Sequence, residues 1–224
     1  MAIILNINTA FETASVILSN NEEIIMEVQS SSQKEHASFL EPAIKKLCNS
    51  AQINLHDIDA VSVVNGPGSY TGLRVALSSA KALCYALEKP LILLNTLDVM
   101  AHALQLQLFA EHEDILFCPL IDARRLEVYT ALYNADLKII KSYSSEILDD
   151  HFLEKEKKIK KIIAGGNGSL KLQKIINNSD IVYINPLLLS KPAIIMSNKA
   201  FINEDFAKVA YSEPFYLKPV YFRK

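Results

Sequence analysis

The sequence has no run approaching the roughly 20 uninterrupted apolar residues that a membrane span requires. Its three cysteines, Cys48, Cys84 and Cys118, are far apart and odd in number. That fits neither a disulfide framework nor a metal site built on paired short spacings, and they read as reduced core residues. HxxxH, HExxH and Cys-pair spacings are all absent, which argues against a metal centre built from those motifs. The opening MAIILNINT carries neither a basic leader nor a small-residue cleavage site, so the expectation is a cytoplasmic protein that no membrane holds. Excess positive charge is missing too: a net charge of −2 and a pI near 6.2 give no global attraction for phosphates. An RNA substrate would therefore have to be gripped mostly by another chain. What remains, 224 residues with 50% hydrophobic and 21% charged side chains, is globular and large enough for one domain or two small ones.

Along the chain, residues 3–8, 13–19 and 22–28 read as an antiparallel meander, with Asn20-Asn21 as the tight turn. From Ala37 the period changes, and Leu40, Ala43, Ile44, Leu47 and Ala51 form one helical stripe. Residues 60–64 are nearly all apolar, as in a strand buried on both faces, which implies a parallel crossover. A glycine loop, a helix over about 71–87, a strand over 91–94 and a helix from Thr96 through Leu108 follow, with Thr96 able to cap the last. Strand signals restart at 115–121, 127–133 and 137–143. Beyond them come Ile162-Ile163-Ala164, a second glycine loop, a helix from about Ser169, a strand near 181–184, a helix near 198–209 and an extended tail over 215–222. The pattern is α/β and twofold: two βββαβα-type halves with mixed sheets, residues 1–110 and 111–224, with Glu111 to Asp114 as the boundary. The last helix and tail are candidates to pack back on the first half.

Gly66-Pro-Gly-Ser-Tyr-Thr-Gly72 joins a buried strand to a helix, where backbone N–H groups could hold an anion. It equally suits a tight turn in which glycines supply positive φ and Thr71 caps the helix. It is not a P-loop, having no Lys after the last glycine, nor a nucleophile elbow around Ser69. Gly165-Gly166-Asn-Gly168 carries the same two readings, phosphate or adenosine site and ordinary turn. Asn8 ends the first strand, and its amide lacks the charge on which Mg²⁺ binding relies. Asn8, Ser69, Gly165 and Gly166 are thus weak cofactor candidates, and no catalytic or metal residue is expected.

The helix after the first glycine loop is apolar nearly all round: Leu73, Leu77, Ala80, Cys84 and Leu87 make one stripe, and Gly72, Ala76, Ser79 and Leu83 another. Its own sheet covers one face, so the second faces either a partner chain or another helix of this chain. The partner reading assigns an interface to His36, Leu40, Ile44, Leu47, Gly72, Arg74, Val75, Ala76, Ser79, Ala80 and Leu83. The turn Asp122-Ala-Arg-Arg-Leu-Glu127 is either a solvated hairpin corner or a charged contact with a partner or RNA phosphates.

Ile4-Leu-Asn-Ile-Asn-Thr9 with Glu12, Glu35-His36, the segment from Gly66 to Arg74, Asp122-Ala-Arg124 with Glu127-Val-Tyr129, and Pro219-Val-Tyr-Phe-Arg223 together resemble the TsaB family, also called YeaZ. The resemblance implies an actin-like ATPase fold of two RNase H-like halves. It also implies a non-catalytic role beside the catalytic subunit TsaD and the ATPase TsaE, which together put threonylcarbamoyl on the adenosine next to the anticodon in tRNAs reading ANN codons. ATP and metal then belong to the partner subunits and no cofactor to this chain, which pairs with TsaD, or with itself when alone, through helices of the first half. Asn8 departs from the Asp usual in the family. The alternative is an independent small ATPase or sugar-kinase-like enzyme; a peptidase would need a nucleophile–base pair or metal that no spacing supplies.

Overall fold

β1 (Ile3–Asn8) is buried on both faces because it lies in the middle of a sheet, between an antiparallel neighbour, β2 (Ala14–Asn20), and a parallel one, β4 (Ala60–Val64). β3 (Glu23–Ser30) and β5 (Leu91–Leu94) complete the order β3-β2-β1-β4-β5. The computed structural model describes residues 2–30, 36–108, 114–157, 161–176, 181–185 and 187–218. The second sheet repeats the first: β6 (Ile115–Asp122), β7 (Glu127–Tyr133) and β8 (Ile139–Ile147) form a meander, and β9 (Lys161–Gly165) and β10 (Ile181–Ile184) add in parallel, in the order β8-β7-β6-β9-β10.

Each sheet anchors its own core. In the first, Leu5 and Ile7 pair in register with Leu18 and Val16 on one side and Val61 and Val63 on the other, making an apolar row on one face. α1 (His36–Ala51) brings Leu40, Ala43, Ile44 and Leu47 to that row, and α2 (Tyr70–Leu87) brings Ala76, Leu77, Ala80 and Cys84. α6 (Ser190–Ile202) packs on the same sheet, with Ser190 Oγ donating to Glu27 Oε1 at 2.7 Å. In the second, α5 (Ser169–Ile175) sets Leu172 against Cys118, Leu120, Ile162 and Ala164, and α4 (Glu154–Lys157) abuts β9.

α3 (Thr96–Gln107) also serves the second sheet. The Asp98 carboxylate accepts the hydroxyl of Tyr133 at 2.6 Å and that of Tyr143 at 2.8 Å. Burial, then the Asp98 charge, pushes both phenols up, so they stay donors across the neutral range. Tyr133→Phe removes a bond to a charged acceptor and is expected to cost about 2 kcal/mol, read by urea denaturation. An unchanged midpoint would show that Tyr143 alone holds Asp98.

The chain divides into two compact units: one runs up to Thr96 and includes Ser190–Phe215, the other comprises Leu97–Leu189 and continues from Tyr216. The boundary expected at 110/111 falls outside the described residues, and the helix assigned to the first half groups with the second unit because Asp98 and its apolar face pack there. Other elements shift for local reasons. The helix near 198–209 is instead Ser190–Ile202, starting where Pro192 sits in the first turn and its missing N–H costs nothing. Ser69, not Thr71, caps α2: Ser69 has non-helical φ and ψ, and its Oγ accepts Gly72 N–H. Thr96 does not cap α3; its buried Oγ1 has no partner among the described residues. β8 runs on to Ile147, pairing along the whole of β7, and the tail over 219–222 lies outside the described residues.

Candidate functional site

In open α/β sheets ligands bind beyond the carboxyl ends of parallel strands. At that end of the first sheet lie Asn8, Thr9, the glycine loop and Thr96. The Asn8 side chain turns back on its own segment, Oδ1 accepting Ala10 N–H at 3.1 Å. Thr9 Oγ1 donates to Gly72 O at 2.7 Å, and Ser69 N–H donates to Ala10 O at 2.8 Å. The loop is thus sewn to the end of β1. A Cβ at Gly68 would stand 2.5 Å from Ala10 O, and one at Gly72 2.0 Å from Thr9 O. These glycines are therefore needed for the close approach of two stretches of backbone, whatever else the loop binds. Asn65 Nδ2 donates to Glu213 O, and Phe215 N–H to Asn65 O, so the 213–215 segment ties down the end of β4. His36 is buried with Nε2 2.9 Å from Glu12 O, while its Nδ1 lacks a partner among the described residues.

The second glycine loop is internally satisfied in the same way. Gly166, at φ +101°, donates its N–H to Asn185 Oδ1, and Ser169 Oγ donates to Gly166 O while accepting from Asn185 Nδ2. The structure does not bring Asn8 and Ser69 together with Gly165 and Gly166 in one unit. Among the described residues no cluster of three or more His, Cys, Asp or Glu side chains could hold a metal ion, and no helix is long and apolar enough to cross a membrane. All three cysteines are free and buried, and burial pushes the thiols of Cys84 and Cys118 up to about 11 and about 12, leaving both protonated at neutral pH.

The first unit's helices give a different kind of site. Of the residues assigned to a partner interface, His36, Leu40, Ile44, Leu47, Gly72, Ala76 and Ala80 are buried within the chain. They are core rather than contact surface, because α1 itself covers the second stripe of α2. Arg74 is exposed, and Val75, Ser79 and Leu83 are half-buried. Outward along α2 run Tyr70, Arg74, Ser78, Ala82, Tyr85 and Ala86, all exposed, Tyr85 by 85%. The Arg74 guanidinium stacks 4.0 Å over the Tyr70 ring. Lys81 turns aside to donate to Ala210 O and Ser212 O. The result is a face of small side chains between two tyrosines, with Arg74 as its one outward charge. The sequence signal for it was the spacing 70, 74, 78, 82, 85–86, opposite the buried row 73, 77, 80, 84.

Two sheets of identical strand order, each a meander continued by parallel strands, define the class: an α/β protein of two repeated units with mixed five-stranded sheets. The model for TsaD, tRNA N6-adenosine threonylcarbamoyltransferase, matches residues 23–216. The TsaB protein of Buchnera aphidicola subsp. Acyrthosiphon pisum is 27% identical over 94% of this chain and 98% of its own length. That of Bacillus subtilis is 34% identical over 58% of this chain, which spans only about half, 54%, of that relative. A crystal structure of a Pseudomonas aeruginosa protein with similarity to peptidase YeaZ superposes with a TM-score of 0.80 at 22% identity, covering 97% of this chain and all of the other. The chain belongs to the family of TsaD, the tRNA N6-adenosine threonylcarbamoyltransferase, and within it to the TsaB (YeaZ) proteins.

Proposed function

We propose that this chain acts in threonylcarbamoyladenosine formation on tRNA as a non-catalytic partner subunit, pairing with TsaD through the outward face of α2. The carrying observation is that face: small residues at 78, 82 and 86 let a second helix approach closely, and the flanking tyrosines supply anchors of the kind that dominate interface energies. The names of the relatives supply the pathway. The engaged amide of Asn8 and the internally bonded glycine loops support a role without chemistry of its own. ATP and metal then reside on TsaD and TsaE, tRNA is held through the complex, and the chain alone forms a homodimer through the same face, in the cytoplasm. An independent ATPase would have to use Asn8, whose oxygen is already committed to the backbone.

The test is light scattering coupled to size exclusion on the chain with TsaD from the same organism, followed by tRNA modification with and without the chain. Ala82→Glu, on the exposed face, is expected to leave folding intact and weaken association about 100-fold, since it buries an unpaired charge in the contact. Native-like association of Ala82→Glu would remove the surface assignment. No association of the native chain, even with TsaE, ATP and tRNA present, would remove the partner role.

A further inference from the structure

The chain has 19 lysines and only four arginines, and two of the four, Arg124 and Arg125, stand side by side at the β6–β7 turn. Both are exposed and both have positive φ, 73° and 47°. Glycine or asparagine would adopt that backbone at lower cost, so neither arginine is there for the turn. Each flanking carboxylate is already engaged by a lysine, although Asp122 also feels the Arg124 charge. Asp122 Oδ1 is bound by Lys171 Nζ at 2.7 Å and also accepts Arg124 N–H, while Glu127 pairs with Lys218. Burial raises the Asp122 carboxyl, but the Lys171 and backbone hydrogen bonds outweigh it and hold it below the usual range. Four cations against two committed anions leave a local surplus of two positive charges, on a chain whose net charge is −2.

We propose that the Arg124–Arg125 tip binds the phosphodiester backbone of RNA, and specifically, resting on the function proposed above, that of the tRNA being modified. The guanidinium fork matches a phosphate through paired hydrogen bonds, which an ammonium cannot do. A contact with a protein carboxylate is the lesser reading, since protein interfaces centre on a desolvated apolar patch, whereas the residue completing this tip is a lone Leu126, 57% exposed. The tip would add affinity and orientation without sequence preference, as phosphate contacts do. It also gives an acidic chain a defined place to touch a polyanion that its overall charge repels.

The experiment is fluorescence anisotropy of a labelled tRNA transcript against the full chain, alone and with TsaD, over a salt series. Arg124→Gln/Arg125→Gln is expected to weaken binding about tenfold at low salt and to flatten the slope of log affinity against log salt by about 1.5, two contacts' worth. Arg124→Gly/Arg125→Gly relieves the backbone and should bind as weakly while melting no lower than the native chain, so unfolding cannot explain the loss. Arg124→Lys/Arg125→Lys should recover only part of the affinity. Unchanged affinity and slope in the Gln variant, or no tRNA binding by the native chain in either setting, overturns the proposal. So does lost TsaD association with tRNA affinity intact, which would assign the arginines to a protein carboxylate. Light scattering reads TsaD pairing separately, so failure of the partner role and failure of this site give different results.

Discussion

Ala76→Glu is expected to unfold the first unit or to cost it at least about 4 kcal/mol, whereas Ala82→Glu, six residues on in the same helix, should fall within about 0.5 kcal/mol of native. Ala76 is fully buried among residues of α1 and the sheet, in one cluster with Leu40, Ile44, Leu47, Val61 and Val63. The cluster around that position is built of apolar side chains, so a carboxylate there loses its water without gaining solvation from them. Leaving a charge buried and unpaired costs about 3–5 kcal/mol, and the added side-chain volume about 1–3 more. Against a total stability of about 5–15 kcal/mol the sum is enough to abolish folding in a marginal domain. Urea denaturation of the two variants decides it. Equal stability would mean that α1 does not cover α2, returning Ala76 to the surface.

Gly72→Ala sets two effects against each other. In an ordinary helix interior the change stabilises by about 1 kcal/mol, because alanine has less chain entropy to lose. Here the new Cβ would lie 2.0 Å from Thr9 O and 3.2 Å from His36 Nδ1. The first neighbour is backbone, held by the strand on one side and by the Ser69–Ala10 hydrogen bond on the other, so it cannot swing away as a side-chain end could. Moving α2 outward would stretch the bond from Thr9 Oγ1 to Gly72 O. We expect the clash to win, with a net loss of about 3 kcal/mol in urea denaturation. A stabilised Gly72→Ala protein would show that the loop and β1 are not in contact in solution.

Both predictions turn on a distinction that periodicity cannot make. The two apolar stripes of α2 are legible as letters at spacings of three and four, and so is the requirement that something cover each. Whether the cover comes from the same chain is a question about where α1 packs, and α1 is separated from α2 by the whole of β4 and the glycine loop. Apart from Arg74 the residues that remain outside, Tyr70, Ser78, Ala82, Tyr85 and Ala86, are small or aromatic, so the spacing sets them opposite the buried row but their hydropathy alone does not tell surface from core. The glycine loops show the same limit. A glycine that frees an N–H for an anion and one that lets two backbones touch look alike until the second backbone is located.

The sequence by itself determined the α/β class, the two repeated halves, nearly all the strands, the family resemblance and the burial of the cysteines, because each rests on local period, turn chemistry or motif spacing. Only the tertiary structure decided which helix serves which sheet, that Asn8 and Ser69 bond their own backbone, and which side of α2 faces outward. Those follow from contacts between segments tens of residues apart, where the energy lies in packing and in hydrogen bonds that no single stretch of chain contains.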